Sequence, residues 1–117
     1  MYSFSYLKPA SIKEASNILS VSDENKVISG GMTLLPTLKQ RLARVENLIG
    51  LENCGLDKIS LQEGILKIGA MATHDDVSNS KLIKSENPAI AELASQIGDR
   101  QVRNRGTIGG SLANNDP

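Results

Sequence analysis

The chain has no tryptophan, one cysteine, one histidine and three aromatic residues, Tyr2, Phe4 and Tyr6, all in its opening segment. Each scarcity closes off a class of function. Cys54 alone cannot form an internal disulfide, nor can it hold an iron–sulfur cluster, which takes several thiolates. It reads as a buried or incidental thiol. With no rings beyond Tyr6, base stacking on an aromatic platform has nothing to build on. Neither sign of charge is in excess, since 13 basic side chains face 13 acidic ones. No net field therefore draws the chain to nucleic acid or to an anionic membrane. No apolar run approaches the roughly 20 residues that a membrane span requires. The opening Met1-Tyr2-Ser3-Phe4-Ser5-Tyr6 lacks the charged-then-apolar pattern of an export signal, so a cytoplasmic protein is expected.

What is present is ordinary for a globular domain: 39% hydrophobic and 22% charged over 117 residues, enough for one modest core. Ser11-Ile12-Lys13-Glu14 has the form of a capping box, with Ile12, Ala15 and Leu19 on one face of the helix it opens. Lys26-Val27-Ile28 is a short strand candidate running into Ser29-Gly30-Gly31. Leu34, Leu35, Leu38 and Leu42 then keep helical spacing, with Thr33 as N-cap and Pro36 in the first turn. A second strand candidate covers Asn47 to Leu51. Lys58-Ile59-Ser60-Leu61 and Ile65-Leu66-Lys67-Ile68 flank a glycine turn, the pattern of a hairpin. One short helix is expected from Thr73 to Ile83, and another from Pro88, carrying Ile90, Leu93, Ala94 and Ile97 and ending at Gly98. Asp99 to Pro117 shows no sustained periodicity. The order predicts a mixed α+β unit, not a doubly wound sheet.

Two glycine segments carry the chemistry. Paired glycines let backbone approach a ligand and turn successive amides toward one point, which suits phosphate oxygens. Ser29-Gly30-Gly31-Met32-Thr33 stands ahead of a helix whose positive end points the same way. Gly106-Thr107-Ile108-Gly109-Gly110-Ser111 offers a second such nest, with hydroxyls beside it. Neither is a dinucleotide or P-loop fingerprint. A pair of tight turns is the plain structural alternative. On residues alone, the motifs reach a phosphate-bearing cofactor and stop there.

A resemblance goes further. Ile28-Ser29-Gly30-Gly31-Met32-Thr33-Leu34-Leu35-Pro36, continued by Arg41-Leu42-Ala43, resembles the first flavin loop of the FAD-binding (medium) subunits of molybdenum hydroxylases. The run from Ile97 to Ala113 resembles the second, and Ile68-Gly69-Ala70-Met71-Ala72-Thr73-His74 and Phe4-Ser5-Tyr6-Leu7-Lys8-Pro9 also fit. Leu35-Pro36 and Gln101-Val102-Arg103-Asn104-Arg105 are most similar to the carbon monoxide dehydrogenase medium subunits of this family, which includes the xanthine dehydrogenase FAD subunits. The resemblance covers essentially the whole chain. It implies the N-terminal part of a vanillyl-alcohol-oxidase (PCMH)-type FAD-binding domain over residues 1–117, continuing in a longer polypeptide. It also implies that Ser29, Gly30, Gly31, Met32 and Thr33 line one side of the FAD diphosphate, and Thr107, Ile108, Gly109, Gly110 and Ser111 another. Asp116 is a further candidate for the ribityl region. The implied partners are a large molybdopterin-binding subunit and a small 2Fe-2S subunit, with electrons passing from iron–sulfur clusters through FAD to an acceptor. A stand-alone flavin oxidoreductase of the same wider fold, and an interaction domain without FAD, are the alternatives.

Other polar residues have plainer readings. His74, beside Asp75 and Asp76, is expected to serve helix capping and surface polarity. Arg100, Arg103 and Arg105 are expected to brace the second glycine segment through backbone carbonyls, with attraction to the cofactor's phosphates as the second reading.

Overall fold

The computed structural model describes residues 1–115. Ser11 opens α1 (Ile12–Val21), its hydroxyl accepting from the Glu14 amide at 3.1 Å. The return bond falls one residue earlier than the capping-box pattern predicts: the Glu14 carboxylate takes the Ala10 amide, also at 3.1 Å. Of the trio expected to face inward, Ala15 alone is buried. Leu19 lines a groove described below, and Ile12 is exposed.

Three short strands, β1 (Ser5–Leu7), β2 (Lys26–Ile28) and β3 (Asn47–Gly50), form a parallel sheet in the order β1-β3-β2. Tyr6 lies opposite Leu48, and Val27 opposite Ile49. Parallel neighbours need crossover connections. Here α1 links β1 to β2, and α2 (Leu34–Lys39) links β2 to β3. Central β3 is buried from Leu48 to Gly50, which is why it reads as a continuous apolar run. β1 escaped the sequence reading because three residues carry no measurable period.

Leu38, Val45 and Leu48 form the core on this side, with Phe4, Ile28, Leu34 and Leu35 packed around them. Leu42, expected on the same helix, lies beyond its end and is exposed. Arg41 interrupts the helical path at φ 57°. Thr33 precedes α2 but does not cap it through its side chain; the Thr37 hydroxyl donates to the Thr33 carbonyl at 3.0 Å instead.

The second half begins with the antiparallel hairpin of β4 (Ile59–Gln62) and β5 (Ile65–Ile68), in register at Leu61 and Leu66. Its turn needs positive φ at both central residues, Glu63 at 51° and Gly64 at 76°. That is the hairpin turn that matches strand twist. The single helix expected from Thr73 to Ile83 is two, α3 (His74–Asn79) and α4 (Lys81–Glu86). Ser80 breaks them, extended at ψ 119°, and its hydroxyl takes the Ile83 amide at 3.2 Å. A serine oxygen competing with the helix ladder produces such a break. α5 (Pro88–Ser95) starts on its proline, and Gly98, at φ 51°, turns the chain after it. Ala72, Val77, Ile83, Ala91 and Ala94 make the second core, against Ile59, Leu66 and Ile68.

The stretch after Gly98, aperiodic in sequence, holds α6 (Arg100–Arg105) and α7 (Ile108–Asn114). Each is too short to show a period, and each is started by a side chain. Asp99 accepts from the Val102 amide at 2.8 Å, and Thr107 from the Gly110 amide at 3.0 Å. The α+β expectation holds, with the second glycine segment inside a helix and not in a loop.

Ile83 has no accessible surface. Ile83→Ala is expected to cost about 2–5 kcal/mol and Ile83→Val about 0.5–1.5 kcal/mol by urea unfolding. Equal losses would contradict the packing described.

Candidate functional site

The two glycine segments, far apart in sequence, meet. The hydroxyls of Ser29 and Thr107 share a hydrogen bond of 2.8 Å. A Cβ on Gly30 would collide with the Arg105 carbonyl and lie 3.0 Å from Gly106 Cα. A Cβ on Gly110 would lie 2.9 Å from Ser29 Oγ. Glycine at these positions is needed for one stretch of chain to touch another. Gly31 is different: its φ of 76° makes the turn from β2 into α2.

Between the segments runs a groove of about 800 Å³ at the carboxyl end of β2, where parallel sheets commonly receive ligands. Ser29, Gly30, Gly31, Met32 and Thr33 form one wall, and Thr107, Gly109, Gly110 and Ser111 contribute to the other. Leu19, Val27, Leu51 and Met71 add apolar surface. Ile108 does not reach the groove. Lys26 is the one charged residue among those lining it.

The walls differ in what they can donate. Among the described residues, the amides of Gly30, Gly31, Met32 and Thr33 have no hydrogen-bond acceptor. Opposite, the Thr107 amide has no acceptor among the described residues, but the amides from Ile108 to Ser111 are already used. Ile108 donates to the Ala72 carbonyl at 3.1 Å and Gly109 to the Ala70 carbonyl at 2.9 Å, while Gly110 is held by Thr107. The second segment, expected as an open amide nest with hydroxyls beside it, thus keeps the hydroxyls but not the open run of amides. The first turn of α7 spends its donors on the connector after β5, as helix starts must when they are packed against backbone. A Cβ on Gly109 would lie 2.6 Å from Ala70 Cβ, so this glycine seats α7. The second wall offers hydroxyls to the groove and few amides.

His74 is the residue that the sequence reading placed wrongly. The residue is 5% exposed, and its Nε2 lies 3.0 Å from Ser111 Oγ. Capping falls to Thr73, whose hydroxyl takes the Asp76 amide while the Asp76 carboxylate takes that of Thr73. A lone histidine next to two acids signals a helix start as readily as a buried ring. Burial holds the His74 pKa below its usual 6.5. Arg103 does brace backbone, but at Ile97 and Gly98, 3.3 Å from each carbonyl, away from the glycine segment. Arg100 and Arg105 make no side-chain hydrogen bond among the described residues. Near the end of β1, the Tyr6 hydroxyl donates to Glu52 at 2.7 Å; burial, then this carboxylate, raises its pKa to about 12. Asp116 lies outside the described residues.

A family model described as the FAD-binding domain in molybdopterin dehydrogenase matches residues 2–117. The chain belongs to this family. The family's sequence relatives include the nicotine 6-hydroxylase medium subunit of Paenarthrobacter nicotinovorans, 39% identical over 112 residues, covering 95% of this chain and 40% of the relative. The carbon monoxide dehydrogenase medium chain of Hydrogenophaga pseudoflava is 39% identical over 116 residues, covering 97% and 40% respectively. Among solved structures, carbon monoxide dehydrogenase from Hydrogenophaga pseudoflava superposes with a TM-score of 0.95 at 39% identity, covering 99% of this chain and 41% of that one. Quinoline 2-oxidoreductase from Pseudomonas putida 86 does so at 0.94 and 38% identity, covering 98% and 41%. The chain therefore spans about 40% of the length of these relatives. No described helix is long and apolar enough to cross a membrane.

The groove suits what the family name implies. A molybdopterin dehydrogenase FAD domain must accommodate a diphosphate that joins two heteroaromatic ring systems. Free amides beside a turn whose glycines admit no side chain, in a groove that also offers apolar surface, are compatible with that need.

Gly30→Ala is expected to lower the unfolding midpoint by several degrees, because backbone carbonyl cannot yield as a side-chain tip can. An unchanged midpoint would contradict the close approach. His74 makes a second prediction through linkage. Its folded pKa lies below the unfolded value, so the unfolded chain binds the extra proton and stability is lost as pH falls through about 6.5. The loss in unfolding free energy from pH about 7 to about 5 should be smaller in His74→Gln than in wild type. Identical slopes would show that His74 is not held neutral.

Proposed function

We propose that this chain is the FAD-binding part of the electron-transfer subunit of a molybdopterin-dependent dehydrogenase. In this reading the groove holds the FAD diphosphate. The amides of Gly30, Gly31, Met32 and Thr33 donate to its oxygens, and the hydroxyls of Ser29, Thr33, Thr107 and Ser111 stand close by. Gly110 lets α7 approach the first turn, while Gly109 and Ile108 seat that helix on the connector after β5. The observation that carries the reading is the row of unused amides along one wall of a groove that both glycine segments border. Gly30 is buried and Gly31 half-buried; donors so placed without partners are costly to a protein, and an anionic ligand offsets that cost.

Bound FAD would supply a redox centre that takes electrons from iron–sulfur clusters and delivers them to an acceptor. The described residues of this chain would position and exclude; none among them is placed to act as a general base or nucleophile. Relatives named as medium subunits or medium chains favour a heteromeric assembly with a large molybdopterin-binding subunit and a small 2Fe-2S subunit. One related structure is of a carbon monoxide dehydrogenase that lacks the Mo-pyranopterin moiety of the molybdenum cofactor, in keeping with such a complex. A cytoplasmic complex fits a chain whose one thiol, Cys54, has no partner within it.

The full-length protein is expected to bind FAD, and ADP is expected to compete for the site while riboflavin is not. Fluorescence titration of FAD with each competitor measures this. Competition by riboflavin but not ADP would contradict a diphosphate held by the glycine turn. Thr33→Val, which removes one hydroxyl and little volume, is expected to weaken FAD binding by about threefold to tenfold.

A further inference from the structure

His74 is a buried titratable side chain to which the proposed flavin contacts give no task. Its partner among the described residues is Ser111 Oγ, 3.0 Å from Nε2, and Ser111 is itself exposed on the groove wall. The pair is held from both sides by backbone. The His74 amide donates to the Gly106 carbonyl at 2.9 Å, and Ile108 donates to Ala72 at 3.1 Å, so Thr73 and Thr107 face each other across an antiparallel bridge. Gly106 leaves room for the ring, since a Cβ there would lie 3.1 Å from His74 Cδ2.

A serine hydroxyl carries one proton, and the neutral imidazole decides where it points. If Nε2 is the bare nitrogen, Ser111 donates to the ring and turns lone pairs toward the groove. If Nε2 carries the hydrogen, Ser111 accepts from the ring, and its own proton is free to donate outward. An anionic oxygen in the groove favours the second arrangement.

We propose that His74 is a positioning residue that donates from Nε2 to Ser111 Oγ and so directs the Ser111 proton at an anionic oxygen of the groove's ligand. The role rests on the flavin reading above and deepens it, extending the contact from the glycine turn to the far wall. Burial supports it by keeping the ring neutral, so that one nitrogen is a donor and the other an acceptor.

The test uses the full-length protein, with FAD as the probe and fluorescence titration as the readout. His74→Phe keeps a ring without a donor, His74→Gln keeps a nitrogen donor, and Ser111→Ala removes the group being positioned. His74→Phe and Ser111→Ala are each expected to weaken FAD binding by about tenfold, with no further loss when combined. His74→Gln is expected to recover most of the affinity, which a purely structural role for the ring would not allow. Imidazole nitrogen chemical shifts, assigned by comparison with His74→Gln, are expected to show the Nε2–H tautomer once FAD is bound. Should His74→Phe fail to fold, Ser111→Ala and the tautomer still decide the matter. Unchanged affinity in Ser111→Ala, additive losses in the double variant, or a bare Nε2 in the FAD-bound protein would overturn the role. A wild-type protein with no affinity for FAD would overturn the flavin reading first, and this role with it.

Discussion

The close approach of Gly30 to the Arg105–Gly106 backbone, locked by the hydroxyl pair of Ser29 and Thr107, joins the two halves of the molecule at the site. One half is a parallel sheet with its own core around Leu38 and Leu48; the other is a hairpin and helices around Ile83 and Val77. Neither half makes the groove alone. Contact at van der Waals distance between two backbones excludes any side chain, so the residue type follows from the geometry. The same contact sets the width of the groove, because the first turn of α7 cannot move without carrying Thr107 away from Ser29.

From this constraint the walls acquire different roles. In α7, the donors that a helix start ordinarily leaves open are given to Ala70 and Ala72. That fixes the helix rigidly but removes its amides from the groove. The turn between β2 and α2 keeps its amides free, and a ligand's negative charge is the natural partner for them. Rigid support on one side and open donors on the other would suit the cofactor proposed for the groove, since preorganised dipoles need no rearrangement to meet a ligand's charge.

Much of this was readable in the residues, and the failures have physical causes. The hairpin announced itself through Gly64 and flanking apolar alternation, and Pro88 marked the start of α5. Both signals are local. β1 was hidden because its strand character comes from pairing with β3, not from its own three residues. Ser80 splitting a helix, and Asp99 and Thr107 starting two more, turn on where one side-chain oxygen points. Composition showed that the glycines at 109 and 110 mattered but not why. Their explanation lies in Ala70 and Ser29, whose proximity only the tertiary fold reveals. His74 was misread for the same reason, since its burial depends on α6 and α7 folding over it. The family resemblance pointed to both glycine segments, and the geometry shows that they differ in the donors they leave free.

The central claim is that the turn after β2 supplies the donors for a diphosphate, while the start of α7 does not. Amide chemical shifts and hydrogen exchange in the full-length protein, measured without and with FAD, address it directly. The account predicts that the amides of Gly30, Gly31, Met32 and Thr33 shift and become protected on binding, while those of Ile108 and Gly109 are protected in both states. Unaltered signals from Gly30 to Thr33 in the FAD-bound protein would contradict it.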